Sequence, residues 1–175
     1  MDIYQDDVWE RIHSITYIYC KETRLQTFQY KIIHQTISCW KWLNRLTIKT
    51  TPNCQKCGTE DNILHYFITG DCLGTFWEEF IIWWENLTGK IISNLRDLEE
   101  SLMLGFNGTT EAANMLNYIV IHAKYYIYSK KIKDKFDIDF YGFISYLKRK
   151  LYIISTYYSD NHPYLVTLRC LLEDI

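Results

Sequence analysis

The chain has 175 residues, 48% of them apolar and 17% aromatic, which supplies a hydrophobic core and excludes the disordered class. The net charge of −2 is uneven: residues 1–50 carry seven Lys/Arg against five Asp/Glu, residues 51–120 three against ten, and residues 121–175 nine against six. No apolar run approaches the roughly 18 residues of a membrane span, and Asp2, Asp6 and Asp7 argue against a secretory leader, so an intracellular chain in cytoplasm or nucleus, with reduced cysteines, is expected.

Only two Pro and seven Gly punctuate the chain, which favours long helices over a turn-rich sandwich. The expected fold is all-α: one compact multi-helix domain over residues 1–160, a short knuckle-like insertion at 52–73, and a tail or short helix at 161–175. Val8, Ile12, Ile15 and Tyr19 form the first helical stripe. After a polar break from Lys21 to Arg24, Leu25, Phe28, Ile32 and Thr36 continue at helical spacing, and Trp40, Leu43 and Leu46 extend or restart that helix. Pro52 and Asn53 open a loop. Phe76, Phe80, Trp83, Trp84 and Leu87 predict a helix closed by Gly89, and Leu95 to Met103 a shorter one ending near Gly105. Thr109 or Thr110 can cap a long helix over 111–133, with Met115, Ile119, His122, Tyr126 and Ile127 on one side. Asp137 or Asp139 can cap the last, whose stripe is Phe140, Phe143, Ile144, Leu147, Leu151 and Ile154.

The chemistry-bearing residues cluster in the insertion. Cys54-x2-Cys57 puts two thiolates on one tight turn, eased by Gly58, an arrangement many zinc sites use. His65 and Cys72 follow, so the spacing offers three sulfurs and one nitrogen for Zn²⁺ at Cys54, Cys57, His65 and Cys72. The competing reading is four small buried residues of a reduced core.

A catalytic site is not assembled. Tyr4-Gln5-Asp6-Asp7 spells the metal-binding turn of a reverse transcriptase, but helical rather than alternating spacing follows it and only three residues precede Tyr4, too few for the apolar strand and the distant third carboxylate such a site needs, so the acids are expected to open a helix. His34 and His122 fall within apolar stripes and read as core histidines. No phosphate-cradling Gly loop and no nucleophile elbow occurs. The chain is therefore expected not to be an enzyme.

Two basic clusters, Lys124, Lys130, Lys131, Lys133 and Lys135, then Lys148, Arg149 and Lys150, are interleaved with Tyr125, Tyr126 and Tyr128. Lys31, Lys41 and Arg45 form a third. Such residues neutralise phosphates and stack on bases, which makes them candidates for RNA or DNA contact; a solvated helix end would carry the same lysines.

In order and spacing, several stretches together resemble a known family. They are Val8-Trp9-Glu10-Arg11-Ile12, the run from Arg24 to His34, Trp42-Leu43, Cys54-x2-Cys57, Glu60, Ile63-Leu64-His65-Tyr66-Phe67, Phe76-Trp77, Met103-Leu104-Gly105-Phe106 and the run from Ala123 to Tyr128. The chain is similar here to the zinc-binding region C-terminal to the reverse transcriptase domain of LINE-type, non-LTR retrotransposon polyproteins. The resemblance implies a non-catalytic nucleic-acid-binding segment whose partners are RNA or DNA and the rest of such a polyprotein. The alternative is a helical protein-interaction or structural module, a degenerate retroelement fragment without metal or nucleic-acid binding. The family pattern puts the last ligand five positions after the His, which here is Gly70. Either Cys72 substitutes for it or the site has lost a ligand.

Overall fold

The computed structural model describes residues 6–89, 91–92, 95–107 and 110–157. The Tyr4-Gln5 half of the acidic motif, the alternative cap Thr109 and the tail at 161–175 lie outside them. The fold is all-α. Helices α1 (Asp6–Tyr19), α2 (Thr23–Ile33) and α3 (Trp40–Arg45) precede the insertion, and α4 (Phe76–Thr88), α5 (Leu95–Leu104), α6 (Glu111–Lys131) and α7 (Phe140–Tyr157) follow it.

The boundaries have local causes. Helix α2 stops at Ile33 because Gln35 takes a positive φ of 54°; the chain restarts at Trp40, so α3 is a separate helix. Gly89 closes α4 in the left-handed conformation that lacks a Cβ penalty. The Thr110 side chain accepts from Ala113 N at 3.3 Å at the start of α6. Asp139 Oδ1 accepts from Gly142 N at 2.6 Å at the start of α7. The α7 stripe from Phe140 to Ile154 is buried as its periodicity predicts.

Helix α6 departs from expectation. It is buried on all sides from Met115 to Ile127, not along one stripe. Helices α1, α2 and α7 pack around it, with the turn at His65–Thr69 against its C-terminal half. A helix apolar all round belongs in the middle of a core. Two polar clamps tie it to the end of α5. Asn117 accepts from Phe106 N at 2.6 Å and donates to Phe106 O at 3.0 Å. Met103 O accepts from Lys124 Nζ at 2.9 Å and from Gln29 Nε2 of α2 at 2.8 Å.

This burial corrects two expected nucleic-acid contacts. Lys124 is 1% exposed and Lys131 7% exposed. Both ammonium groups are spent on backbone carbonyls inside the fold, Lys124 on Met103 and Lys131 on Tyr66, so neither can meet a phosphate. His34 is corrected in the opposite sense. It lies exposed just past the end of α2, its ring 4.2 Å from that of Tyr30 and 5.1 Å from that of His13. His122 is a core histidine, with Nδ1 3.4 Å from the Tyr146 hydroxyl.

No helix among the described residues is long and apolar enough to cross a membrane.

Candidate metal centre

Residues 52–61 fold back on themselves as a miniature hairpin. Asp61 N donates to Pro52 O at 2.9 Å and Cys54 N to Thr59 O at 2.8 Å, with a bridge between Asn53 and Glu60. The tip is the Cys54–Cys57 turn, closed by Gly58 N donating to Cys54 O at 2.9 Å. Gly58 has φ +77°, which a side chain would strain.

His65 arrives from the other side. It opens a single π-type turn, His65–Thr69, and its backbone N–H is held by Asn62 Oδ1 at 2.9 Å. Such a turn leaves carbonyls without regular helical partners. The Lys131 ammonium takes Tyr66 O, and Trp77 Nε1 takes Phe67 O at 2.7 Å. Tyr66 and Phe67 are buried, and the Phe67 ring meets Phe28 of α2 edge-on at 5.9 Å. Lys131, expected as a phosphate contact, is thus part of the support under His65.

These two pieces bring Cys54 Sγ, Cys57 Sγ and a His65 ring nitrogen within 4.8 Å of one another. Cys57 Sγ is 3.2 Å from His65 Nε2. The ring is aimed by Asp61, whose Oδ1 lies 2.8 Å from His65 Nδ1. A carboxylate only accepts, so Nδ1 carries the proton and Nε2 turns its lone pair toward the two sulfurs. Asp61 is itself fixed, because Oδ2 accepts from Trp40 N at 2.9 Å. A carboxylate behind a histidine is the usual outer support of a metal-binding imidazole. Sequence reasoning passed over Asp61, although its spacing four residues before His65 was the available signal.

Thr59 was also passed over. Its hydroxyl lies 2.8 Å from Cys57 Sγ and 2.9 Å from His65 Nε2. The Cys57 thiol is lowered to about 7, chiefly by the Thr59 hydroxyl and backbone N–H, with His65 and Cys54 adding to it. Burial raises the Cys54 thiol. One of the two sulfurs is therefore readily available as thiolate, the form that binds metal.

Cys72 does not join the cluster. It sits on the short 3₁₀ turn Asp71–Leu73 and is 5% exposed within the apolar core. Gly70 stands where a fourth ligand would start. A Cβ built on it would lie 3.4 Å from His65 Cε1 and 3.6 Å from His65 Nε2. The same Cβ would come within 2.6 Å of His65 O, so the backbone at 70 must shift to admit it. Cys54, Cys57 and His65 could hold a metal ion. Two thiols and one imidazole with the ring already oriented are a donor set that transition-metal ions take. Gly70→Cys is expected to tighten metal binding while lowering the stability of the metal-free protein. Competitive chelator titration and metal-free melting check the two halves separately.

Of the surface cations, Lys41 is engaged with Glu60 at 2.6 Å, which ties α3 to the hairpin. Lys31, Arg45, Lys133 and Arg149 are exposed, and Lys130, Lys148 and Lys150 are half-buried. Comparison with known protein families, with curated proteins and with solved structures found no match to this chain.

Proposed function

We propose that this chain is a non-catalytic nucleic-acid-binding segment braced by a zinc ion at Cys54, Cys57 and His65, akin to the zinc-binding region of non-LTR retrotransposon polyproteins. The observation that carries this reading is the metal-competent cluster itself. Its three donors are those that the resemblance names, His65 is backed by Asp61, and Gly70 lies at the missing fourth position. A core of unconnected cysteines would have no reason to orient a histidine toward two of them.

The nucleic-acid half draws support from the outward face of α7. Tyr141 and Tyr152 are 76% and 69% exposed. Arg149 is exposed between them, with Lys148 and Lys150 on either side. Exposed aromatics alternating with cations suit stacked bases and a phosphate backbone. Labelled single-stranded RNA or DNA should bind with an affinity that falls steeply as salt rises. Lys148→Glu combined with Lys150→Glu should weaken binding by roughly tenfold or more and flatten the salt slope. Salt-independent affinity, or none, would remove the nucleic-acid half of the reading.

A further inference from the structure

The C-terminal end of α6, the loop after it and α7 from Gly142 to Arg149 border an open pocket of about 480 Å³. Its walls carry four cations, Lys130, Lys133, Lys135 and Arg149, and no carboxylate. Among the described residues none of the four forms an ion pair. Lys130 Nζ donates to Asp137 O at 3.4 Å and lies over the Tyr126 ring, so its charge is held at the pocket wall. Four positive charges around one concavity raise its potential and favour an anion there.

The floor gives a second, independent sign. Tyr126 is 4% exposed and lines the pocket, yet its hydroxyl has no hydrogen-bond partner. A buried hydroxyl left without a partner is costly, and a donor or acceptor from outside relieves it. The hydroxyl lies against Gly142, which also lines the pocket: a Cβ at that position would collide with it. Glycine within a helix is disfavoured against alanine, and here its absent side chain leaves room for the Tyr126 hydroxyl. Asp137 and Asp139 do not line the pocket, but the Asp139 carboxylate stands at its edge: Oδ1 caps Gly142 N, and Oδ2 would lie 2.8 Å from a Cβ at Gly142.

We propose that this pocket is a phosphate-binding site, with Lys130, Lys133, Lys135 and Arg149 supplying the charge and the Tyr126 hydroxyl donating from the floor, directly or through a water. It rests on the nucleic-acid reading for the source of the phosphate, a backbone group of the bound strand. The chemistry would serve a free phosphate equally, and the volume leaves room for an attached sugar.

The test uses the full chain and two probes, a labelled single-stranded oligonucleotide and inorganic pyrophosphate. Tyr126→Phe deletes only the hydroxyl, and Arg149→Gln deletes one charge. Tyr126→Phe should weaken oligonucleotide binding by about tenfold, the range for a hydrogen bond to a charged group. It should leave the Tm unchanged or raised, since in the free protein that hydroxyl satisfies nothing. Arg149→Gln should weaken binding and reduce the salt slope by about one. If the wild type binds the oligonucleotide and both variants bind it equally well, the pocket proposal is overturned while the nucleic-acid reading stands. If only pyrophosphate binds, and does so through Tyr126 and Arg149, the phosphate site stands and the nucleic-acid reading falls. Binding of neither probe overturns both.

Discussion

His65→Ala is expected to take the protein from about one zinc per chain to essentially none, and Cys57→Ser to do nearly the same. Among the described residues three protein donors converge, so losing any one leaves two, too few for a stable zinc site. The His65 change also strands Asp61, whose Oδ1 faces the ring at 2.8 Å in a largely dry setting. A buried carboxylate without its partner is destabilising in its own right. His65→Ala should therefore lower the Tm of the metal-free protein as well, whereas Cys57→Ser, at a partly exposed position, should lower it far less. Asp61→Asn separates aiming from ligation. It keeps all three donors but disturbs the tautomer, and a loss of 10–100-fold in zinc affinity is the expected range for such an outer-shell change. Metal analysis and melting with and without chelator measure each effect. Full zinc occupancy in His65→Ala would remove the histidine from the site.

The second large effect concerns Lys124, which burial alone lowers to about 7. Lys124→Met should stabilise the fold at neutral pH, by about 1–3 kcal/mol, because a well-packed apolar side chain replaces a buried amine. That corresponds to roughly 2–4 °C in Tm for each kcal/mol. Met103 O keeps a partner in the variant, because Gln29 Nε2 also donates to it at 2.8 Å. Native Lys124 is neutral above about pH 7, while the unfolded chain holds the proton up to 10.5. At this site the unfolded state binds more protons in that window, so the contribution of Lys124 to stability rises with pH there, by up to about 1.4 kcal/mol per pH unit, while the buried thiols of Cys20, Cys39 and Cys54, raised by desolvation, act in the opposite sense above 9.0. The Cys57 thiol, lowered to about 7, acts in the same direction up to 9.0, its unperturbed value. The slope that disappears in Lys124→Met is therefore the lysine's own contribution. Nucleic-acid affinity should not change, since the ammonium never reaches the surface. A marked loss of affinity at unchanged stability would contradict the burial of Lys124.

Much of the fold was legible from spacing. The stripes of α1, α2, α4 and α7, the Gly89 stop and the caps at Thr110 and Asp139 are local features, set by side chains within one or two turns. The surroundings of α6 are not local. Lys124 and Lys131 read as a basic helix face until the end of α5 and the His65–Thr69 turn take up their ammonium groups; the run from Met115 to Val120, apolar or aromatic at all but one position, was the available warning. Three of the four expected ligands converge because the Cys-x2-Cys turn and the His65 turn each have strong local determinants. The fourth was open between Cys72 and a lost ligand at Gly70. Cys72 has ligand chemistry, but the 3₁₀ turn places it in the apolar core, whereas Gly70 has the position and no side chain. The Tyr126 pocket was illegible because it exists only once α7 lies beside the end of α6.

X-ray absorption at the zinc edge on the purified 175-residue chain reads the ligand set directly. The proposed site predicts one zinc with two sulfur neighbours and two lighter ones, the imidazole of His65 and a small exogenous ligand. Gly70→Cys should change this to three sulfurs. A wild-type spectrum with three sulfurs would bring Cys72 into the site against its burial in the core, and a protein that takes up no zinc would contradict the account altogether.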